Sequence, residues 1–216
     1  MDKKIEFTNT WFNDAAKNQW DKLLPQIKPK KILEIGSFEG ASTCYLIQNL
    51  SKDNPIEIHC IDPWKLETDK VGDLWDSNCL DIPEDVNMSN VEKRFRNNTD
   101  IAIEKSVNKV DLKIYKGFSA DELSKMLAVG MRDYFDFIYI DGGHQGPDVL
   151  TDAVLSFRLL KVGGVIVFDD YLWQVGKKDL ISIPKLAIDS FVNIYSAKIN
   201  IFNAPLYQLY IKKVSH

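Results

Sequence analysis

Apolar or small side chains recur at Trp11, Phe12, Ala16, Trp20, Leu23, Leu24 and Ile27. That is one face per helical turn, and it predicts a helix over 9–27. Pro25 is expected to end it, because proline disfavours helix at the residue before it. The period then changes. Short apolar runs at 31–36, 56–62, 112–117, 135–141 and 165–169 read as strands. Between them, 41–50, 91–107, 119–127, 148–160 and 184–195 read as helices. Ser119 with Glu122 three residues on has the form of a capping box. Pro184 suits a first helical turn. Gly163 and Gly164 are expected to turn the chain into the strand at 165–169.

Strands alternating with helices imply a parallel sheet with helices on both faces. Runs as apolar as 135–140 and 165–168 fit a sheet buried on both sides. Two late strands, 199–202 and 207–212, are too close for a crossover helix, so they must form an antiparallel hairpin at one edge. The expectation is an α/β doubly wound, Rossmann-like sheet in a single domain, 1–216. Its N-terminal helix is 9–27, and an insertion or lid occupies approximately 63–110, the least regular stretch.

Hydrophobic residues make up 45% of the 216 and charged residues 27%, which excludes a disordered chain, a collagen-like fibre and a disulfide miniprotein. The net charge of -4 gives no global drive toward nucleic acid or anionic lipid. Cys44, Cys60 and Cys79 cannot pair fully and contain no C-x-x-C, which points to a reducing compartment and no zinc site. The first residues have no apolar signal region, and no run is long enough to span a membrane. A cytoplasmic protein is expected.

In a doubly wound sheet ligands sit beyond the C-terminal strand ends. Here those ends are Glu34-Ile-Gly36-Ser37, Asp62, Asp141-Gly-Gly-His144 and Asp169-Asp170. The first loop is not a dinucleotide fingerprint: counting from Gly36, the next two glycine positions hold Phe38 and Ala41. It still has glycines at 36 and 40 around a strand-to-helix turn, which lets a ligand approach the backbone. Asp62, 26 residues after Gly36, suits a ribose diol, since a carboxylate accepts two hydroxyl hydrogens.

The stretch from Ile32 to Gly40 resembles the first motif of class I S-adenosylmethionine-dependent methyltransferases, and Asp62 resembles their second. The resemblance implies a seven-stranded sheet with an antiparallel last strand. It assigns Glu34, Gly36, Ser37, Gly40 and Ser42 to the methionine and ribose side of the cofactor, and Asp62 to the ribose hydroxyls. Phe118 and Ser119 would flank the adenine, Trp64 would border the adenosine, and Asp141 would lie at the cofactor as well.

Asp141 and the pair Asp169-Asp170 close two strands. Three carboxylates converging there would repel one another without a cation, and hard divalent ions favour such oxygens. The strings Ile140-Asp-Gly-Gly-His144 and Val167-Phe-Asp-Asp-Tyr171 resemble metal-dependent O-methyltransferases related to macrocin O-methyltransferase. Carried over by position, Asp141, Asp169 and Asp170 are metal ligands, with Mg2+ the leading ion. Catechol-type relatives have Asp-Asn at the last pair and a lysine near the first aspartate; this chain has Asp-Asp, and His144 in the lysine's place. Methyl transfer to oxygen needs an aligned hydroxyl and a base, here His144 or Asp141. Trp64, Trp75, Trp173, Arg94 and Arg96 are candidates to line an acceptor lid.

The expected partner is a small hydroxylated molecule, a sugar or natural product; a homodimer is compatible with this. The competing readings are a metal-independent methyltransferase, a nucleotide- or NAD-binding oxidoreductase, and a catalytically dead binding module. Nucleic acid is disfavoured, because no Asn/Asp-Pro-Pro-aromatic motif is present.

Overall fold

The apolar runs become strands whose two faces are both covered. The computed structural model describes residues 4–65, 86–173 and 179–216; Trp75 and Cys79 lie outside them. In chain order the elements are α1 (Trp11–Ala15), α2 (Lys17–Ile27), β1 (Lys31–Ile35), α3 (Ala41–Leu50), β2 (Ile56–Ile61), α4 (Met88–Glu104) and β3 (Val110–Tyr115). Then follow α5 (Ser119–Ala128), β4 (Phe135–Ile140), α6 (Gly146–Leu159), β5 (Leu160–Phe168), α7 (Pro184–Ile194), β6 (Ile199–Ile201) and β7 (Leu209–Lys213). They build a seven-stranded sheet of order β3-β2-β1-β4-β5-β7-β6. β7 runs antiparallel to both β5 and β6, and the remaining pairs are parallel.

Successive strand residues face opposite sides. Leu33, Ile35, Ile138, Ile140, Ile166 and Phe168 pack under α5, α6 and α7 with Leu123, Val149, Phe157 and Phe191. Their neighbours Ile32, Phe137, Tyr139, Val165 and Val167 face the other way, onto Trp20, Leu24, Cys44, Ile47 and Phe95 of α2, α3 and α4. Trp20, fully buried, meets Phe137 and Tyr139 edge-on at 5.4 and 4.8 Å.

Several local expectations are corrected. The N-terminal helix is broken at Ala16 into α1 and α2. Pro25 lies inside α2, one turn from an end that Lys28 closes in the left-handed region at φ 42°. The missing N–H leaves the carbonyl of Asp21 without its helical donor, and the helix still runs on to Ile27. Ser119 is the first residue of α5 rather than its cap; Phe118 holds that position with extended backbone and no side-chain bond, and Glu122 pairs with Lys125 instead. Gly163 and Gly164 lie within β5, which starts at Leu160 and carries a register shift against β4. α4 is the crossover helix from β2 to β3, so the second half of 63–110 belongs to the core fold.

One close approach fixes how the sheet can be built at its working end. Gly36 has φ 82°, and a Cβ there would lie 1.8 Å from the carbonyl oxygen of Asp141. Gly36→Ala is expected to cost at least about 2 kcal/mol through overpacking and backbone strain. Urea denaturation checks this; a loss below about 0.5 kcal/mol would contradict the packing.

Candidate active site

Parallel register levels the strand ends. Ile35 of β1 is aligned with Ile61 of β2 and with Ile140 of β4, and Ile140 with Phe168 of β5. One more backbone bond runs past each end: Gly36 N–H to Ile61 O (2.9 Å), Asp62 N–H to Tyr115 O (3.1 Å), Asp141 N–H to Ile35 O (2.8 Å), and Asp169 N–H to Ile140 O (2.9 Å). Gly36, Asp62, Asp141 and Asp169 therefore stand in one row. The order reverses between β1 and β4, which is where a doubly wound sheet opens its crevice.

The loop after β1 is tied down from beneath. Glu34 is fully buried. Its carboxyl accepts from Ser37 Oγ at 2.8 Å, from the hydroxyls of Ser42 and Thr43 at the start of α3, and from Cys60 Sγ at 3.3 Å. A buried carboxyl needs partners of this kind. Glu34, Ser37 and Ser42, placed at the cofactor by resemblance, are thus engaged with one another and shape the loop. Gly40 carries φ 81° and is packed so closely on Phe95 that a Cβ would sit 2.9 Å from its ring.

Asp62 grips the same loop from β2. Its Oδ2 accepts from the N–H groups of Ser37 (3.0 Å) and Phe38 (2.8 Å), and its Oδ1 from that of Trp64 (2.6 Å). Burial pushes its carboxyl up to about 6, against the pull of those three N–H donors. Trp64 is buried against Phe95 at 4.9 Å and donates Nε1–H to Phe38 O at 2.9 Å. It therefore supports the loop from behind.

The acidic end is built from β4 and β5. Tyr139, two residues before Asp141, donates its hydroxyl to Asp169 Oδ2 at 2.7 Å, and Gln208, just before β7, donates to Asp169 Oδ1 at 2.8 Å. With Asp169 turned to these two, the donor set differs from the three aspartates expected. Among the described residues Asp141, His144 and Asp170 each offer an atom within 4.8 Å of the others. His144 Nε2 lies 3.0 Å from Asp170 Oδ2, and its ring rests on Trp173 at 4.3 Å. Among the described residues its buried Nδ1 has no hydrogen-bond partner. Asp170, at φ 55°, also accepts from the hydroxyl of Tyr207 at 3.0 Å. Burial, then the charges of Asp169 and Asp170, push Asp141 well above the usual carboxylate range; burial and Asp170 raise Asp169 as well. These carboxyls and His144 line one small pocket with Ile140, Phe168 and Pro184.

Phe118 is exposed and Ser119 half-buried at the neighbouring strand end. Of the lid candidates, Trp173 reaches His144, Arg94 pairs with Glu39 at 2.6 Å, and Arg96 pairs with Glu92 on its own helix. Tyr139, Gln208, Tyr207 and Glu39 escaped the sequence reading. Tyr139 alone left a signal, as the polar tip two residues before Asp141 on the same face; the others meet their partners only through long-range packing.

The geometry agrees with three comparisons. A model of a methyltransferase domain matches residues 33–171, the span that holds Gly36, Asp62, Asp141 and the Asp169-Asp170 pair. An uncharacterized protein of Acanthamoeba polyphaga mimivirus, R132, is 27% identical over 139 residues; the match takes in 64% of this chain and 50% of that protein, so the chain spans about half the length of that relative. Among solved structures, the O-methyltransferase from Bacillus cereus in complex with SAH superposes with a TM-score of 0.60 at 16% identity, covering 97% of this chain and 84% of that one. TomG, an O-methyltransferase from Streptomyces achromogenes involved in tomaymycin synthesis and solved with SAM, gives 0.59 at 14% identity, covering 92% and 79%. Among the described residues no helix is long and apolar enough to cross a membrane. The sheet order, the levelled strand ends and the matched span together place this chain in the family of methyltransferase domains.

Proposed function

We propose that the chain uses S-adenosylmethionine to methylate an oxygen of a small hydroxylated molecule, and that a divalent cation assists. The observation that carries this is the contact of Gly36 with the Asp141 carbonyl. It joins a glycine loop suited to the cofactor directly to an oxygen-rich cluster suited to the acceptor. The loop backbone and Asp62 bind the adenosine part, with Asp62 offering its remaining lone pairs to the ribose hydroxyls. His144, steered by Asp170 through Nε2, has Nδ1 free to take the acceptor's proton. Trp173 holds that ring and excludes water.

The donor set fits a cation. Asp141 and Asp170 supply oxygens with His144 in reach, and burial, then the charges of Asp169 and Asp170, hold the Asp141 carboxyl well above the usual carboxylate range. When bound, such an ion lowers a hydroxyl's pKa and fixes its oxygen. Two carboxylates favour Mg2+ or Mn2+, while an imidazole in the set widens the choice toward softer metals. A second reading rests on the same His144–Asp170 pair: a carboxylate that orients an imidazole is sufficient for a base without any ion.

Transfer of labelled methyl from S-adenosylmethionine to a panel of phenols and sugars decides between them. EDTA is expected to abolish transfer and Mg2+ or Mn2+ to restore it; indifference to chelation would remove the cation. In either reading His144→Ala is expected to lower kcat by about 10²–10⁴-fold, the usual share of a general base.

Asp62 makes a separate prediction. Its carboxyl is held near 6 instead of the ordinary 3.8, so the folded chain keeps a proton that the unfolded chain has lost. The stability it contributes is therefore full below about 4 and falls as pH rises toward 6. Binding runs the other way, because the ionised form is the better ribose acceptor. Titration calorimetry should show affinity for S-adenosylhomocysteine rising from about pH 5 to 7, and Asp62→Asn should flatten the curve. An unchanged slope in that variant would take the ribose role from Asp62.

A further inference from the structure

The residue between Phe38 and Gly40 in the cofactor loop is a buried glutamate with no role in the chemistry above. Glu39 is 1% exposed. Its Oε2 accepts from the backbone N–H of Thr8 at 2.7 Å and its Oε1 from the Thr8 hydroxyl at 2.8 Å. Arg94 of α4 donates Nε–H to the same Oε1 at 2.6 Å. Beside it, fully buried Asn98 pairs with both backbone groups of Glu6, accepting from its N–H at 3.0 Å and donating to its carbonyl at 2.8 Å. The Asn98 amide also donates to the carbonyl of Glu39 at 3.1 Å. Ile5, Phe7 and Phe12 pack half-buried on the core beneath, and Trp11 lies 5.4 Å from the ring of Phe38.

The segment before α1 is thus fastened by polar contact at two places, to the cofactor loop through Glu39 and to α4 through Asn98, which itself holds the Glu39 carbonyl. Every loop residue from Ser37 to Gly40 is held by a group on another element: Ser37 and Phe38 by Asp62, Glu39 by Thr8 and Arg94, Gly40 by packing on Phe95. We infer that residues 5–12 form a strap that positions the cofactor loop, with Thr8–Glu39 as its clasp. Seating the strap pre-orders the loop backbone that must approach the ligand. By linkage, a ligand that needs the ordered loop also tightens the strap, even though no strap residue has to touch it. Thr8, Glu39 and Asn98 are positioning residues in this sense. The inference rests on the reading that this loop holds S-adenosylmethionine.

The test uses the whole chain with S-adenosylhomocysteine as probe. Thr8 is exposed, so its substitution leaves the core intact. Thr8→Val removes the hydroxyl and Thr8→Ser keeps it. Calorimetry is expected to show Thr8→Val binding weaker by about fivefold, at the low end of coupling between sites, and Thr8→Ser binding like wild type. Amide hydrogen exchange is expected to slow in residues 5–12 when the probe is added to wild type, and to slow less in Thr8→Val. Glu39→Gln, which keeps the acceptor but loses the charge facing Arg94, should fall between the two. Equal affinity in all variants with unchanged exchange of the strap would overturn the clasp while leaving the cofactor reading intact. Failure of wild type itself to bind the probe would overturn both.

Discussion

The structure depends on the parallel register of its central strands. Once Ile35, Ile61, Ile140 and Phe168 are aligned, the first residue past each strand has no freedom to choose its level. The backbone ladder continues one bond further at each end, so a glycine and three aspartates meet in a row while their N–H groups remain satisfied. A slip of one residue in any pair would turn the strand's apolar residues to the wrong face. The two cores, packed on opposite sides of the same strands, therefore protect the site's geometry as much as the fold's stability.

Above this row, buried polar groups do the local shaping. Glu34, Glu39 and Asp62 are all shielded from water, and none is left alone. Between them they hold the loop from below, from the N-terminal segment and from the neighbouring strand. The acidic cluster is arranged differently. Asp169 is satisfied by Tyr139 and Gln208, whereas Asp141 is hemmed in by like charges. One half of the crevice is held by hydrogen-bond donors, and the other brings carboxyls close together. That division suits a reaction in which a cofactor is gripped and an acceptor is activated.

Much of this was legible in the sequence. The alternating strands and helices, the closing hairpin and the acidic strand ends follow from period-two and helical spacing, and the loop was readable from its two glycines. What escaped has a common cause. Gly163 and Gly164 look like a turn but fall inside β5, in the stretch between Leu160 and Val165 where its register against β4 shifts and Gly163 takes φ 89°. Ser119 looks like a cap, yet the chain enters α5 one residue earlier at Phe118. His144 joins Asp141 and Asp170 in the cluster, while Asp169 is engaged by Tyr139 and by Gln208, 39 residues away in the chain. Glu39 read as an ordinary loop residue, since its partners Thr8 and Arg94 are 31 and 55 residues away. Side-chain direction is set by contacts that spacing along the chain does not encode.

The central claim is that the row of strand ends is a cofactor site with an acid cluster at its side. A crystal structure of the chain grown with S-adenosylhomocysteine and Mg2+ tests it most directly. The account predicts the ribose within hydrogen-bond distance of the Asp62 carboxylate, the ligand's sulfur end against the backbone of Gly36, and the metal between Asp141 and Asp170. A ligand seated elsewhere on the sheet, or one that leaves Asp62 and Gly36 untouched, would contradict it.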